Sequence, residues 1–164
     1  MAAMNVNDFV STASFPWAFR LAYVGNMFRE PLLKVVEERW RLSRPEWTVL
    51  LCVMIREGII SKDIWELTGQ PRNSISRGVI SLEKRGLVRR TPSSHDKRQV
   101  ALHPTAEGAR VFGEIEPLFV QREGAYLSCL TGEELTQFQT ILTKLSDHIS
   151  SVPEPQEQIS PPAP

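Results

Sequence analysis

Between Pro71 and Gly86 the apolar residues Ile75, Val79 and Leu82 stand at i, i+4 and i+7. That spacing buries one stripe of a short helix and turns Arg72, Asn73, Ser76, Arg77, Ser81 and Lys84 toward solvent. The helix lies in a basic island. From Pro71 to Arg98 there are eight basic residues (Arg72, Arg77, Lys84, Arg85, Arg89, Arg90, Lys97, Arg98) against two acidic ones (Glu83, Asp96), in a chain whose formal net charge is zero. A basic run is ordinarily a solvated face. Here it coincides with a helix whose outward side chains match a polyanion: Arg forks to guanine, Asn pairs with adenine, and Ser bonds a base or a phosphate.

The flanking segments place this helix in a larger pattern. Upstream, Ser43 or Arg44 can cap a helix with Pro45 in its first turn, and Trp47, Leu50, Leu51, Met54 and Ile55 carry a helical period to Arg56. Gly58 ends it, Ile59 and Ile60 read as a short extended entry, and Ser61 caps a short helix whose Ile64 and Leu67 point inward until Gly69. Downstream, VRRT (88–91), a polar turn PSSHDK (92–97) and RQVAL (98–102) read as a β-hairpin with a charged tip. Two short helices followed by a hairpin make a winged helix-turn-helix over 45–103.

Helical segments bracket this domain. Residues 1–13 are polar and unpatterned and read as a flexible arm. From Ser14, Phe15, Phe19, Ala22, Val24 and Phe28 lie near one helical face; Pro31 is expected to kink or break the helix, and Leu32, Val35, Val36 and Trp40 continue it to the end of segment 14–44. After the hairpin, Thr105 caps a long helix to about Ser128, with a bend expected at Pro117. Thr131, Gly132, Glu133 and Glu134 form a capping box. Beyond it Leu135, Phe138, Leu142, Leu145 and Ile149 alternate spacings of three and four, a heptad seam that needs a partner; a homodimer through 14–44 and 104–150 supplies one. The Pro-rich tail 151–164 is expected to be disordered. The fold class is therefore mainly α with a small β wing: a winged helix-turn-helix plus a helical dimerisation domain.

Several function classes are disfavoured. No apolar run approaches the roughly 18 residues of a membrane span, and the N-terminus lacks the basic flank and apolar core of a signal peptide, so a cytoplasmic protein with no membrane partner is expected. Cys52 and Cys129 lie in helical patterns and read as two buried thiols, with a redox switch as the alternative. His95, His103 and His148 form no ligand cluster, so neither metal nor cofactor is expected. Glycine-rich phosphate loops and nucleophile–base pairs are lacking, which argues against an enzyme.

In their order and spacing, RPEWTVL (44–50), SISRGVISLEKRGLVRR (74–90), HDKR (95–98), TAEG (105–108) and LTGEEL (130–135) resemble the MarR family of transcriptional regulators. The resemblance covers Phe15 to Ile149. It implies an obligate dimer joined by Ser14–Leu42 and Thr105–Ile149, a double-stranded DNA operator with pseudo-palindromic half-sites, and repression as the default. Arg72, Asn73, Ser74, Ser76 and Arg77 match the positions that face the major groove. Asp96-Lys97-Arg98 matches the wing pattern, with Arg98 entering the minor groove and Asp96 holding its guanidinium. Gly78 departs from the family, where a larger residue is usual; it loosens the helix by up to about 1 kcal/mol relative to Ala. Many members are released from DNA by small aromatic acids or their thioesters. Trp17, Arg20, Tyr23 and Trp47 offer aromatic walls and one cation for such an effector, though they serve equally well as core and surface residues. The alternatives are a redox-sensing regulator using Cys52 or Cys129 and a winged-helix module that binds protein.

Overall fold

A computed structural model describes residues 5–92 and 99–153. In chain order the elements are α1 (Val6–Ser11), α2 (Pro16–Trp40), α3 (Arg44–Ile55), α4 (Ser61–Thr68), α5 (Arg72–Lys84), β1 (Val88–Pro92), β2 (Val100–Pro104), α6 (Ala106–Leu127) and α7 (Gly132–Ile149). The chain divides into two compact units, 1–123 and 124–164.

The first unit holds the winged helix-turn-helix. Ile75, Val79 and Leu82 of α5 are all buried, as their spacing requires, in a core shared with Val49, Leu50 and Val53 of α3, Ile64 of α4 and Leu102 of β2. Strands β1 and β2 pair antiparallel with Arg90 opposite Leu102. Ile60 adds a single bridge to Ala101, so the extended entry before α4 completes the edge of the wing. Gly69 and Gly86 adopt positive φ where α4 and α5 end.

Several expectations are overturned. The segment read as an unpatterned arm contains α1, capped by Asn5, and its Val10 is fully buried. Helix α2 runs unbroken through Pro31. Proline removes the amide that would bond the carbonyl four residues back, but Arg122 of α6 donates there instead, its Nη2 to Met27 O at 2.6 Å, while its Nε donates to the neighbouring Phe28 O at 2.7 Å. In α3 the buried face is Glu46, Trp47, Val49, Leu50 and Val53, leaving Ile55 75% exposed. Leu67, expected inward, is exposed because the short α4 presents to the core only the turn carrying Ile64. Cys129 is exposed and Cys52 half-buried, so the thiols are not a buried pair.

Helix α6 begins where Thr105 Oγ1 accepts from the Gly108 amide at 2.9 Å and donates to Gly86 O at 2.6 Å. Gly108 is obligatory there, since a Cβ would sit 2.0 Å from Leu87 O. In the second unit, α7 opens with the expected capping box: the Glu134 carboxylate accepts from the Thr131 amide at 2.8 Å, and Thr131 Oγ1 accepts from the Glu134 amide. No residue of α7 is buried.

Candidate nucleic-acid interface and adjoining cavity

Helix α5 has no side-chain N-cap; the Ser74 amide donates to Pro71 O at 2.9 Å, and Arg72 and Asn73 beside it are exposed. Helix N-termini with unsatisfied amides favour anions. Arg77, also exposed, lies one turn further along, its Nε donating weakly to Asn73 O at 3.3 Å. Ser74 and Ser76 are half-buried on either flank. Ser76 and Arg72 line a notch of about 330 Å³ with Ser61, Lys62 and Trp65 of α4. Ser74 and Arg77 line a second groove with Ser43, Pro45 and Glu46 of α3. Of the five α5 residues expected to face DNA, Arg72, Asn73 and Arg77 are exposed and Ser74 and Ser76 sit in the grooves on either side, where α4 adds three residues that the sequence did not single out for DNA. Only their position across the notch identifies Ser61, Lys62 and Trp65; Lys62 pairs with Glu66 on its own helix at 3.7 Å.

Much of the remaining basic island is committed internally. Arg85 donates to the last carbonyls of α2, Trp40 O and Arg41 O, both at 2.8 Å. Arg90 grips Glu83 of α5 with its Nε and Nη2. Hydrogen bonds from Arg90, opposed weakly by desolvation, hold the Glu83 carboxyl below its ordinary range. Arg89 pairs with Glu57 at 3.5 Å, and Glu57 also bonds His103, whose other ring nitrogen meets Thr91. Ser81, read as solvent-facing, instead donates to Glu46 Oε1 at 2.6 Å. Burial opposes ionisation of Glu46, but hydrogen bonds from Ser43 and Ser81 and the charge of Arg85 outweigh it and leave the carboxyl below its ordinary range. Gly78 has a packing reason: a Cβ there would lie 3.2 Å from the Pro45 carbonyl. Asp96 and Arg98 lie outside the described residues.

Behind the first turn of α3 is a cavity of about 410 Å³ whose walls include Phe28, Arg29, Arg44, Trp47, Gln70 and Phe119. Trp47 stacks on Phe119 and Phe112 at centroid distances of 4.9 and 5.6 Å. Of the residues singled out for an effector, Trp47 lines this cavity, while Trp17, Arg20 and Tyr23 do not. Trp17 is 74% exposed with Arg20 over its ring at 5.8 Å. The cations at the cavity are Arg29 and Arg44, both near Glu30. Burial pushes the Cys52 thiol up, which disfavours the reactive thiolate. Among the described residues no group of three or more His, Cys, Asp and Glu side chains could hold a metal, and no helix is long and apolar enough to cross a membrane.

Residues 41–99, the segment that carries this surface, match the MarR family. The chain is 27% identical over 112 residues to the transcriptional regulator HosA of Escherichia coli O111:H-, covering 65% of this chain and 83% of that one. A MarR-family regulator from Silicibacter pomeroyi superposes with a TM-score of 0.74 at 18% identity, covering 82% of this chain and 90% of that one. CouR from Rhodococcus jostii RHA1, solved bound to p-coumaroyl-CoA, gives 0.71 at 23% identity, covering 88% and 96%. At these identities the solved structures speak for the fold.

Proposed function

Residues 41–99 match the MarR family, and on that ground we propose that the chain is a dimeric transcriptional regulator of this family that binds operator DNA and is released by a small aromatic carboxylate or related catabolite. One observation carries the DNA half: α5 buries Ile75, Val79 and Leu82 within the chain while Arg72, Asn73 and Arg77 stay exposed around an uncapped N-terminus. Base-edge readers project outward and phosphate-binding amides sit at the same end, which suits insertion into the major groove. Asp96 and Arg98 are assigned to the minor groove through the wing. Repression is the direction adopted, since an operator-bound dimer excludes other proteins from the same DNA.

The dimer is supported by apolar surface that a single chain leaves open. Leu135, Phe138, Leu142, Leu145 and Ile149 of α7 are between 37% and 72% exposed, and Trp17, Leu21 and Met27 of α2 are also exposed. The effector reading is supported by the cavity at Trp47, where stacked aromatic rings adjoin Arg29 and Arg44, a combination suited to an aryl group bearing a carboxylate. That site takes Trp47 from the sequence-based set and replaces Arg20 with nearer cations.

Enrichment of duplexes from a random-sequence pool tests the DNA half. The expected product is a pseudo-palindrome with half-sites about one helical turn apart, bound with an affinity that falls steeply as salt rises. Retention of no duplex at low salt would exclude the proposal. A panel of aromatic acids added to the bound complex tests the effector half, and release by at least one of them is expected.

A further inference from the structure

The first turn of α3 faces two sites at once. Arg44, Trp47 and Thr48 line the aromatic cavity, while Ser43, Pro45 and Glu46 line the groove beside Ser74 and Arg77 of α5. Among the described residues Glu46 is the one buried charged side chain, 8% exposed. Burying a carboxylate is costly unless its partners are well placed, and here both oxygens are engaged. Oε2 accepts from the Ser43 amide at 2.7 Å and from Ser43 Oγ at 2.6 Å, which locks the turn itself. Oε1 accepts from Ser81 of α5 at 2.6 Å and faces Arg85 Nη1 at 3.5 Å. The same guanidinium holds the C-terminal carbonyls of α2. One carboxylate therefore ties the start of α3 to α5 and, through Arg85, to the end of α2.

A steric contact reinforces this polar link. At Gly78 the backbone of α5 rests directly on the Pro45 carbonyl and the Glu46 amide, with no side chain between them. Displacement of this turn must be passed on to α5, because packed elements do not deform continuously. On the other side of the turn, Trp47 stacks against Phe119 and Phe112 of α6. A group entering the cavity meets Trp47, whose neighbour in sequence holds α5.

We propose that Glu46 is a positioning residue that couples occupancy of the Trp47 cavity to the orientation of the DNA-facing surface of α5. This rests on the assignment of α5 as the DNA-contacting helix. Coupling is reciprocal, so DNA binding must also be felt at Trp47, and the link is measurable before any effector is identified. Incorporation of 5-fluorotryptophan gives one fluorine signal from each of the four tryptophans, and Trp47→Phe assigns the relevant one. The probe is a duplex enriched from a random pool by the unmutated protein. In that protein the Trp47 signal moves when the duplex binds. In Glu46→Gln and in Ser81→Ala the duplex still binds, but the displacement of the Trp47 signal at saturation falls by at least half. Ser81→Ala leaves the α3 cap intact, so it keeps the test decisive if Glu46→Gln folds poorly. A Glu46 serving stability alone would lower the melting temperature and leave the Trp47 response per bound duplex unchanged, and that result overturns the proposal. So does a Trp47 signal that stays still in the unmutated protein while duplex is bound. If no duplex is enriched at all, the DNA assignment fails first and the coupling fails with it.

Discussion

Helices α5 and α7 both carry an apolar stripe along one side and polar residues along the other, yet they meet opposite fates. In α5 the stripe is sealed, with Ile75 and Leu82 at 0% exposure. In α7 the corresponding residues, Leu135 to Ile149, are all exposed. The sealed helix has satisfied its hydrophobic requirement within the chain, so what it offers a partner is charge and hydrogen-bonding groups. The open helix offers apolar surface, and a seam of this length in water calls for another apolar surface. One chain thus presents two chemically distinct surfaces, one basic and rich in hydrogen-bonding groups, the other apolar.

Breaking the open seam has the largest expected effect. Leu142→Asp places a charge in the middle of the stripe and should shift the protein to monomer in sedimentation equilibrium, with DNA affinity falling about 100-fold or more as the linked second half-site is lost. Next comes the close backbone packing of the first unit. Gly108→Ala pushes a methyl group into the Leu87 carbonyl and should destabilise the first unit by about 3 kcal/mol in denaturant titration, whereas Gly78→Ala, whose clash is milder and whose helix propensity improves, should cost about 1 kcal/mol or less.

Acid should expose the contribution of Glu46. Its carboxyl is held below the ordinary value of 4.5, so its stabilisation is fully present above that value and is lost as pH falls through the lowered one. Glu46→Gln should therefore cost about 1 to 2 kcal/mol at neutral pH, and the difference from the unmutated protein should shrink below pH 4.5. A difference that stays constant into acid would contradict the charged network. The smallest effect is expected at Cys52→Ser, which should leave oxidant sensitivity of DNA binding unchanged.

What the sequence made legible and what it concealed divide along the range of the interactions. The stripe Ile75, Val79, Leu82, the turn glycines and the Thr131–Glu134 box are local, and each was readable from spacing and residue type. Pro31 does not break its helix, and the donor that serves the carbonyl left without an amide is Arg122, 95 residues beyond Met27. The charge count of the basic island could not show how Arg85 and Arg90 are engaged, since a sequence displays a guanidinium but not the carbonyls or the carboxylate that occupy it. From Val49 to Ile55 every position of α3 is apolar, so periodicity could not choose between the face with Ile55 and the face with Val49 and Val53. At the candidate effector site Trp47 was found from its aromatic character, but Arg29, Arg44 and Phe119 converge only once α2, α3 and α6 have packed.

The exposed residues of α5, rather than the basic island as a whole, are expected to engage DNA. Fluorescence anisotropy of an enriched duplex, comparing Arg77→Ala with Arg90→Ala at one salt concentration, tests it most directly. Arg77 is exposed with only a long bond to its own helix, and its removal should weaken binding about 10- to 100-fold. Arg90 already grips Glu83, and its removal should change affinity by no more than about threefold. Equal losses for the two variants, or an Arg77→Ala protein that binds as tightly as the unmutated one, would contradict the account.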